Sequence, residues 1–167
     1  GFSETFSQYV VEVAPGGGSE RPELNPEAEG VIFVVAGTIA LTLGGETHHL
    51  KEGGYAFLPP GAQWTISNRS TDPARFHWVR KRYEKVDGID LPTAFVTNEN
   101  DVPIRWMPDT RETWGTTRFV EPTDLRHDMH VNIVTLERGA VIPFEETHVM
   151  EHGLYVLEGK AVYRLNR

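Results

Sequence analysis

Three residues near the C-terminus have the types and the spacing to bind a divalent metal. They are Glu146, His148 and His152, in the run Glu146-Thr147-His148-Val149-Met150-Glu151-His152. One carboxylate and two imidazoles are the oxygen and nitrogen donors that Mn²⁺, Fe²⁺, Ni²⁺, Co²⁺ and Zn²⁺ accept. Glu146 and His148 lie two apart, so on a strand both side chains leave the same face. His152 keeps that parity and joins them after a local bend. The chain has no cysteine, which removes thiolate ligands and disulfides and tilts the site away from structural zinc. Single histidines in strands are more often packing residues than ligands. That plainer reading is taken for His48, His49, His77, His127 and His130. Glu145 and Glu151 have the opposite parity and read as solvated carboxylates, with Glu151 also placed to partner a ligand imidazole.

The elements that must position these residues are strands. QYVVEVA, VIFVVAG, TIALTL, YAFLPP, WTISN and FHWVRKRY are short, rich in β-branched and aromatic residues, and bounded by Gly, Pro, Asn or Asp. Turn signals at PGGG 15–18, GG 44–45, GG 53–54 and PPG 59–61 suit an antiparallel sandwich or barrel. No stretch carries a sustained helical period. Between Val86 and Arg126 the chain turns rich in Pro, Asp, Asn and Thr and reads as an extended connector with one strand at Val102–Trp106. MHVNIVTLERGA then resumes the strand pattern.

The pattern of apolar strand, Gly, apolar strand occurs twice, as VIFVVAGTIALTL and LYVLEGKAVYRL, with Gly37 and Gly159 at equivalent turns. Such a repeat implies two similar modules. The expected fold is all-β: a bicupin of two tandem antiparallel jelly-roll β-barrels, the second truncated in this sequence. The expected divisions are an N-terminal cupin over 1–85 lacking its first residues, a connector over 86–126, and the start of a metal-binding cupin over 127–167. The first cupin motif places two ligands two apart, a third shortly after, and a Gly seven residues on; His152 lies seven before Gly159. Counting back from Gly37 by the same offsets gives Leu24, Pro26 and Gly30, none of which offers a metal a side-chain donor. The second motif is legible as Gly53, Pro59, Gly61 and Asn68, with Trp64 where a histidine is usual. The first barrel is therefore expected to be a metal-free scaffold or interface.

Composition narrows the partners. A formal charge of −8 and a pI near 5.3 repel phosphate backbones, so no nucleic-acid partner is expected. The short basic run Arg80-Lys81-Arg82 reads as the charged end of a strand. No apolar run reaches the length of a membrane span, and GFSETFSQYVVEVAPGG lacks the pattern of a signal peptide. With no cysteine, a reducing, cytoplasmic setting is expected.

EETHVMEHGLYVLEGKAVYRL, with DMHVNIVTLERGA before it, strongly resembles the C-terminal cupin of the bicupin (S)-ureidoglycine aminohydrolases of allantoin and purine breakdown. GGYAFLPPGAQWTISN and VRKRYEKVDG are similar to that family's metal-free N-terminal cupin and connector. The resemblance implies Mn²⁺ held by Glu146, His148, His152 and a glutamine from beyond Arg167, other divalent metals being acceptable. It implies that Tyr163 contacts a small ureido substrate, that (S)-ureidoglycine is hydrolysed to (S)-ureidoglycolate and ammonia, and that the protein is a homo-oligomer. Two other readings fit the residues: an Fe²⁺ cupin dioxygenase, since two His and a carboxylate leave iron positions open for O₂, and a non-enzymatic bicupin that binds a small ligand.

Overall fold

The computed structural model describes residues 4–145 and 149–164. Among the described residues twelve strands form three antiparallel sheets. The first sheet orders its strands β1 (Phe6–Val13), β8 (Ala74–Arg82), β3 (Ala28–Ala36), β6 (Gly54–Leu58), β9 (Phe95–Asn98). The second orders β2 (Gly18–Ser19), β7 (Trp64–Ser67), β4 (Thr38–Leu43), β5 (Glu46–Lys51). The third joins β10 (Arg105–Trp106), β11 (Trp114–Thr117) and β12 (Ile133–Leu136).

Side chains alternate across a strand, and that alternation builds the core. Ile32, Val34, Ala56, Leu58 and Phe76 of the first sheet meet Ile39, Leu41, Leu50, Trp64 and Ile66 of the second in one buried cluster, which is the interior of the first barrel. The intervening residues Val31, Phe33, Tyr55 and Phe57 leave the opposite face of the first sheet and form a second cluster. Both faces of β3 and β6 are thus buried, which is why VIFVVA and YAFL read as continuous apolar runs.

Local chemistry fixes the corners. β3 and β4 belong to different sheets, and the chain turns between them at Gly37, whose φ is +74°. A Cβ there would sit 2.7 Å from the Pro73 carbonyl oxygen, so only glycine fits. Gly159, the equivalent position in the repeat, has φ +82°. Asn68 is buried and fully bonded: its amide nitrogen donates to the carbonyls of Val13 at 2.9 Å and Asp72 at 2.8 Å. Its side-chain oxygen accepts from the Ser70 amide at 2.9 Å and the Ser70 hydroxyl at 2.7 Å. The motif asparagine therefore ties the end of β1 to the turn leading into β8.

The connector does not hang free; it roofs the outer face of the first sheet. β9 pairs with β6, and Phe95, Phe119, Met129, Val131 and Ile133 pack on the second cluster. Tyr55 stacks on Phe119 at 4.0 Å between ring centroids, and His127 meets the edge of Phe57 at 4.5 Å.

At the rim of this roof Glu29 and Lys81 are cross-strand partners, and Lys81 bonds Asp128 at 2.9 Å. Asp128 also accepts the Glu84 amide at 2.9 Å. Glu29 is 1 % exposed, and as a carboxylate neither of its oxygens has a donor. Burial, reinforced by Asp128, pushes its pKa from the usual 4.5 to about 9, so at neutral pH it is protonated and donates to Asp128. Burial raises Asp128 as well, but the bonds from Glu29, the Glu84 amide and Lys81 outweigh it and hold that carboxyl below its ordinary range.

Several elements differ from the sequence expectation. The strand expected over Val102–Trp106 is confined to Arg105–Trp106, because Val102 instead closes a 3₁₀ turn over Glu99–Asp101. β5, β9 and β11 were not anticipated. β5 buries only Leu50 and forms because β4 offers it a ladder. The LYVLEG and KAVYRL strands expected on either side of Gly159 do not form among the described residues. A strand needs a neighbour to bond, and 149–164 has no paired strand among them.

Two outcomes are expected from this packing. Asn68→Leu, similar in volume, leaves the Val13 and Asp72 carbonyls without their donor and costs about 3 kcal/mol in a denaturant titration. Glu29 raises its pKa on folding, so its stabilisation is complete below pH 4.5 and is lost as pH rises through about 9. Glu29→Gln, which imitates the protonated acid, should flatten the fall in unfolding free energy measured between pH 5 and pH 9. An unchanged slope would refute the shared proton.

Candidate functional site

The candidate metal ligands fall at the end of the chain that follows the third sheet. Glu146 and His148 lie outside the described residues. His152 is described and exposed, in a run that lies along the first barrel rather than in a strand. Three alternate residues seat that run. The Glu151 carboxylate accepts the backbone N–H of Glu4 at 2.8 Å and of Thr5 at 2.8 Å, and also the Thr5 hydroxyl. Gly153 lies so close to β1 that a Cβ would stand 2.7 Å from the Gln8 side-chain oxygen and 3.0 Å from the Phe6 ring. Tyr155 packs its ring on His77 of β8, 4.0 Å between centroids.

Alternation of contacts at 151, 153 and 155 is the signature of an extended run laid against a surface. His152 sits between two seated residues, which limits the backbone freedom of the one candidate ligand whose position is described. Tyr163 is 60 % exposed and sits on no strand, so the described residues bring nothing against it as a substrate contact. Glu145 is exposed, as expected of a solvated carboxylate.

The first barrel's mouth is built differently. At the positions equivalent to the three ligands stand Leu24, exposed, and Pro26 and Gly30. Trp78 occupies the space: its ring nitrogen is 3.1 Å from where a Cβ on Gly30 would be. Trp64, in the usual histidine position, meets Trp78 edge to face at 6.0 Å. Arg80 lies over the Trp78 ring at 5.5 Å and grips Glu23 through two bonds of 2.6 Å. Two tryptophans and the Arg80–Glu23 ion pair fill this mouth.

The basic run is neutralised residue by residue. Arg80 pairs with Glu23, Lys81 with Asp128 and Arg82 with Glu27. No helix among the described residues is long and apolar enough to cross a membrane. Three of the remaining histidines, His77, His127 and His130, have lowered pKa values. His77 is buried with no hydrogen-bond partner on either nitrogen, and burial followed by the Arg75 charge pushes its pKa down. Burial likewise lowers His127 and His130, overriding the nearby Asp124 and Asp128 carboxylates. Among the described residues no three His, Asp or Glu side chains gather as a metal cluster.

Sequence reasoning missed two features here. Glu151, read as a solvated carboxylate or a partner of a ligand histidine, is exposed and in addition accepts from the Glu4 and Thr5 amides just ahead of β1. Its partners are 147 and 146 positions away, so no local spacing announces them. Glu29 and Asp128 were not singled out at all. The available signal was a lone acid inside AEGVIFVVA, at a position whose parity matches the buried Val31 and Phe33.

Comparison with known proteins agrees with this architecture. Residues 9–80 match the model of the cupin domain family. The chain is 30% identical over 162 residues to (S)-ureidoglycine aminohydrolase of Escherichia coli K12, a match covering 97% of this chain and 61% of that protein. It is 26% identical over 163 residues to (S)-ureidoglycine aminohydrolase of Arabidopsis thaliana, covering 96% and 53%. Among solved structures, a Pseudomonas aeruginosa protein called glyoxylate-induced is 61% identical with a TM-score of 0.85, covering 90% of this chain and 56% of that one. Protein Ylba of Escherichia coli is 25% identical with a TM-score of 0.66, covering 77% and 49%. The chain therefore spans about half to three fifths of the length of these relatives. Residues 9–80 therefore carry a cupin domain, and along nearly its whole length the chain is similar to proteins named (S)-ureidoglycine aminohydrolase.

Proposed function

We propose that this chain is part of a Mn²⁺-dependent (S)-ureidoglycine aminohydrolase. The observation that carries the reading is the Glu146, His148, His152 triplet, found in a chain 30% identical over 97% of its length to an enzyme of that name. The donor set fits the ion: one carboxylate and two imidazoles, with no thiolate anywhere in the chain, suit a divalent metal of Mn²⁺ type. Glu146, His148 and His152 would hold it, with a glutamine from beyond Arg167 as fourth ligand and another divalent metal as an acceptable substitute. When bound, the metal supplies Lewis acidity and a fixed template for the substrate.

The reaction breaks the bond between the α-carbon and the amine of (S)-ureidoglycine. It forms a bond from that carbon to the oxygen of water, releasing ammonia and (S)-ureidoglycolate. The protein's task is orientation, since the product is one enantiomer and positioning alone can supply several kcal/mol, about 7–11 in the best intramolecular cases. Tyr163 is proposed to contact the substrate. In this reading residues 1–85 form the metal-free cupin, 86–126 the connector, and 127–167 the start of the metal-binding cupin. The proposed setting is a cytoplasmic homo-oligomer acting on a small ureido compound, with no nucleic-acid or membrane partner.

The test is elemental analysis of the full-length protein followed by an ammonia-release assay on fresh ureidoglycine. Stoichiometric manganese and turnover are expected, and Glu146→Ala should lose both. Turnover unchanged in Glu146→Ala would overturn the assignment. Iron with oxygen uptake would replace it by a dioxygenase, and full-length protein without stoichiometric metal by a small-ligand-binding bicupin.

A further inference from the structure

We infer that Glu151 is a positioning residue: by clamping the start of β1 it fixes His152, so that the metal-free first barrel sets the geometry of the metal site. The inference deepens the proposed function and rests on it. Its observations are independent of the motif. Three donors, the Glu4 and Thr5 amides and the Thr5 hydroxyl, converge on one carboxylate. Hydrogen bonds to an ionised acceptor are roughly twice as strong as neutral ones. Two residues on, Gly153 sits where any side chain would strike Phe6 and Gln8. Two further on, Tyr155 rests on buried His77.

The residues contacted, Thr5, Phe6, Gln8 and His77, all belong to β1, its approach, or its neighbour β8. His152 thus lies between two anchored positions of the same strap. Holding a ligand's backbone before the metal arrives removes ordering entropy from binding, which raises affinity without any new contact to the ion. A glutamine at 151 keeps the shape but loses the charge and one acceptor oxygen, so the strap loosens while the ligand set stays intact.

The experiment uses the full-length protein and Mn²⁺ alone, titrated by calorimetry into the metal-free form. Glu151→Gln should weaken Mn²⁺ binding about tenfold, the lower end of what loss of an outer-shell support costs, with an unchanged melting temperature of the metal-free protein. Thr5→Val removes only the hydroxyl and should weaken binding less. The double variant should be no weaker than Glu151→Gln alone, because both act through one clamp. Hydrogen exchange gives a readout that needs no metal: the Glu4 and Thr5 amides should exchange slowly in the wild type and fast in Glu151→Gln.

Fast exchange in the wild type, or equal Mn²⁺ affinity in Glu151→Gln when Glu146→Ala has lost binding, overturns the inference and leaves the metal site standing. Failure of the wild type itself to bind Mn²⁺ overturns the metal site and this inference with it. Should Glu151→Gln fail to fold, Thr5→Val carries the same test.

Discussion

The face of the first sheet that carries Val31, Phe33, Tyr55 and Phe57 has to be kept from water, and much of the structure follows from how that is done. A jelly roll normally buries one face of each sheet and leaves the other solvated. Here the second face is as apolar as the first, with Tyr55 and Phe57 almost wholly buried. The connector supplies cover through Phe95 and Phe119, the 129–133 segment that follows it completes the cover, and β9 extends the sheet by a strand. Burying four large side chains from this face, at about 1.5–3 kcal/mol each, gives the connector a stable seat. It also fixes where the chain stands as it leaves the connector.

The polar groups at the edge of that cover are arranged to tolerate burial. Two acids and one lysine lie together, and a shared proton keeps the net charge of the trio near zero. An ionised Glu29 beside Asp128 would place two negative charges where burial already penalises one. Tyr83 closes the same corner by donating its hydroxyl to the Arg126 carbonyl at 3.0 Å. The result is a joint between barrel and connector that is polar yet satisfied, which is the condition for burying such groups at modest cost.

How far the sequence speaks depends on the range of the interaction that shapes each part. The strand runs QYVVEVA, TIALTL and WTISN are legible because one face of each is apolar, and alternation is a local property. Gly37 and Asn68 are legible because a positive φ and a bonded turn demand particular residue types. β5 and β9 escape because neighbouring strands impose them on sequences with little apolar signal of their own. The Glu146, His148, His152 string stands out through residue type and spacing alone. The seating of Glu151 on Thr5 does not, since nothing in either segment points to the other.

That seating joins positions 4 and 151 and closes a loop of 147 residues. The entropic cost of closing a loop grows only with the logarithm of its length, but a contact of such separation cannot form until the strands between its ends are in place. The strap therefore docks late in folding, on a β1 already paired with β8. The placement of His152, next to Glu151 in the chain, is in this way ordered after the folding of the first barrel.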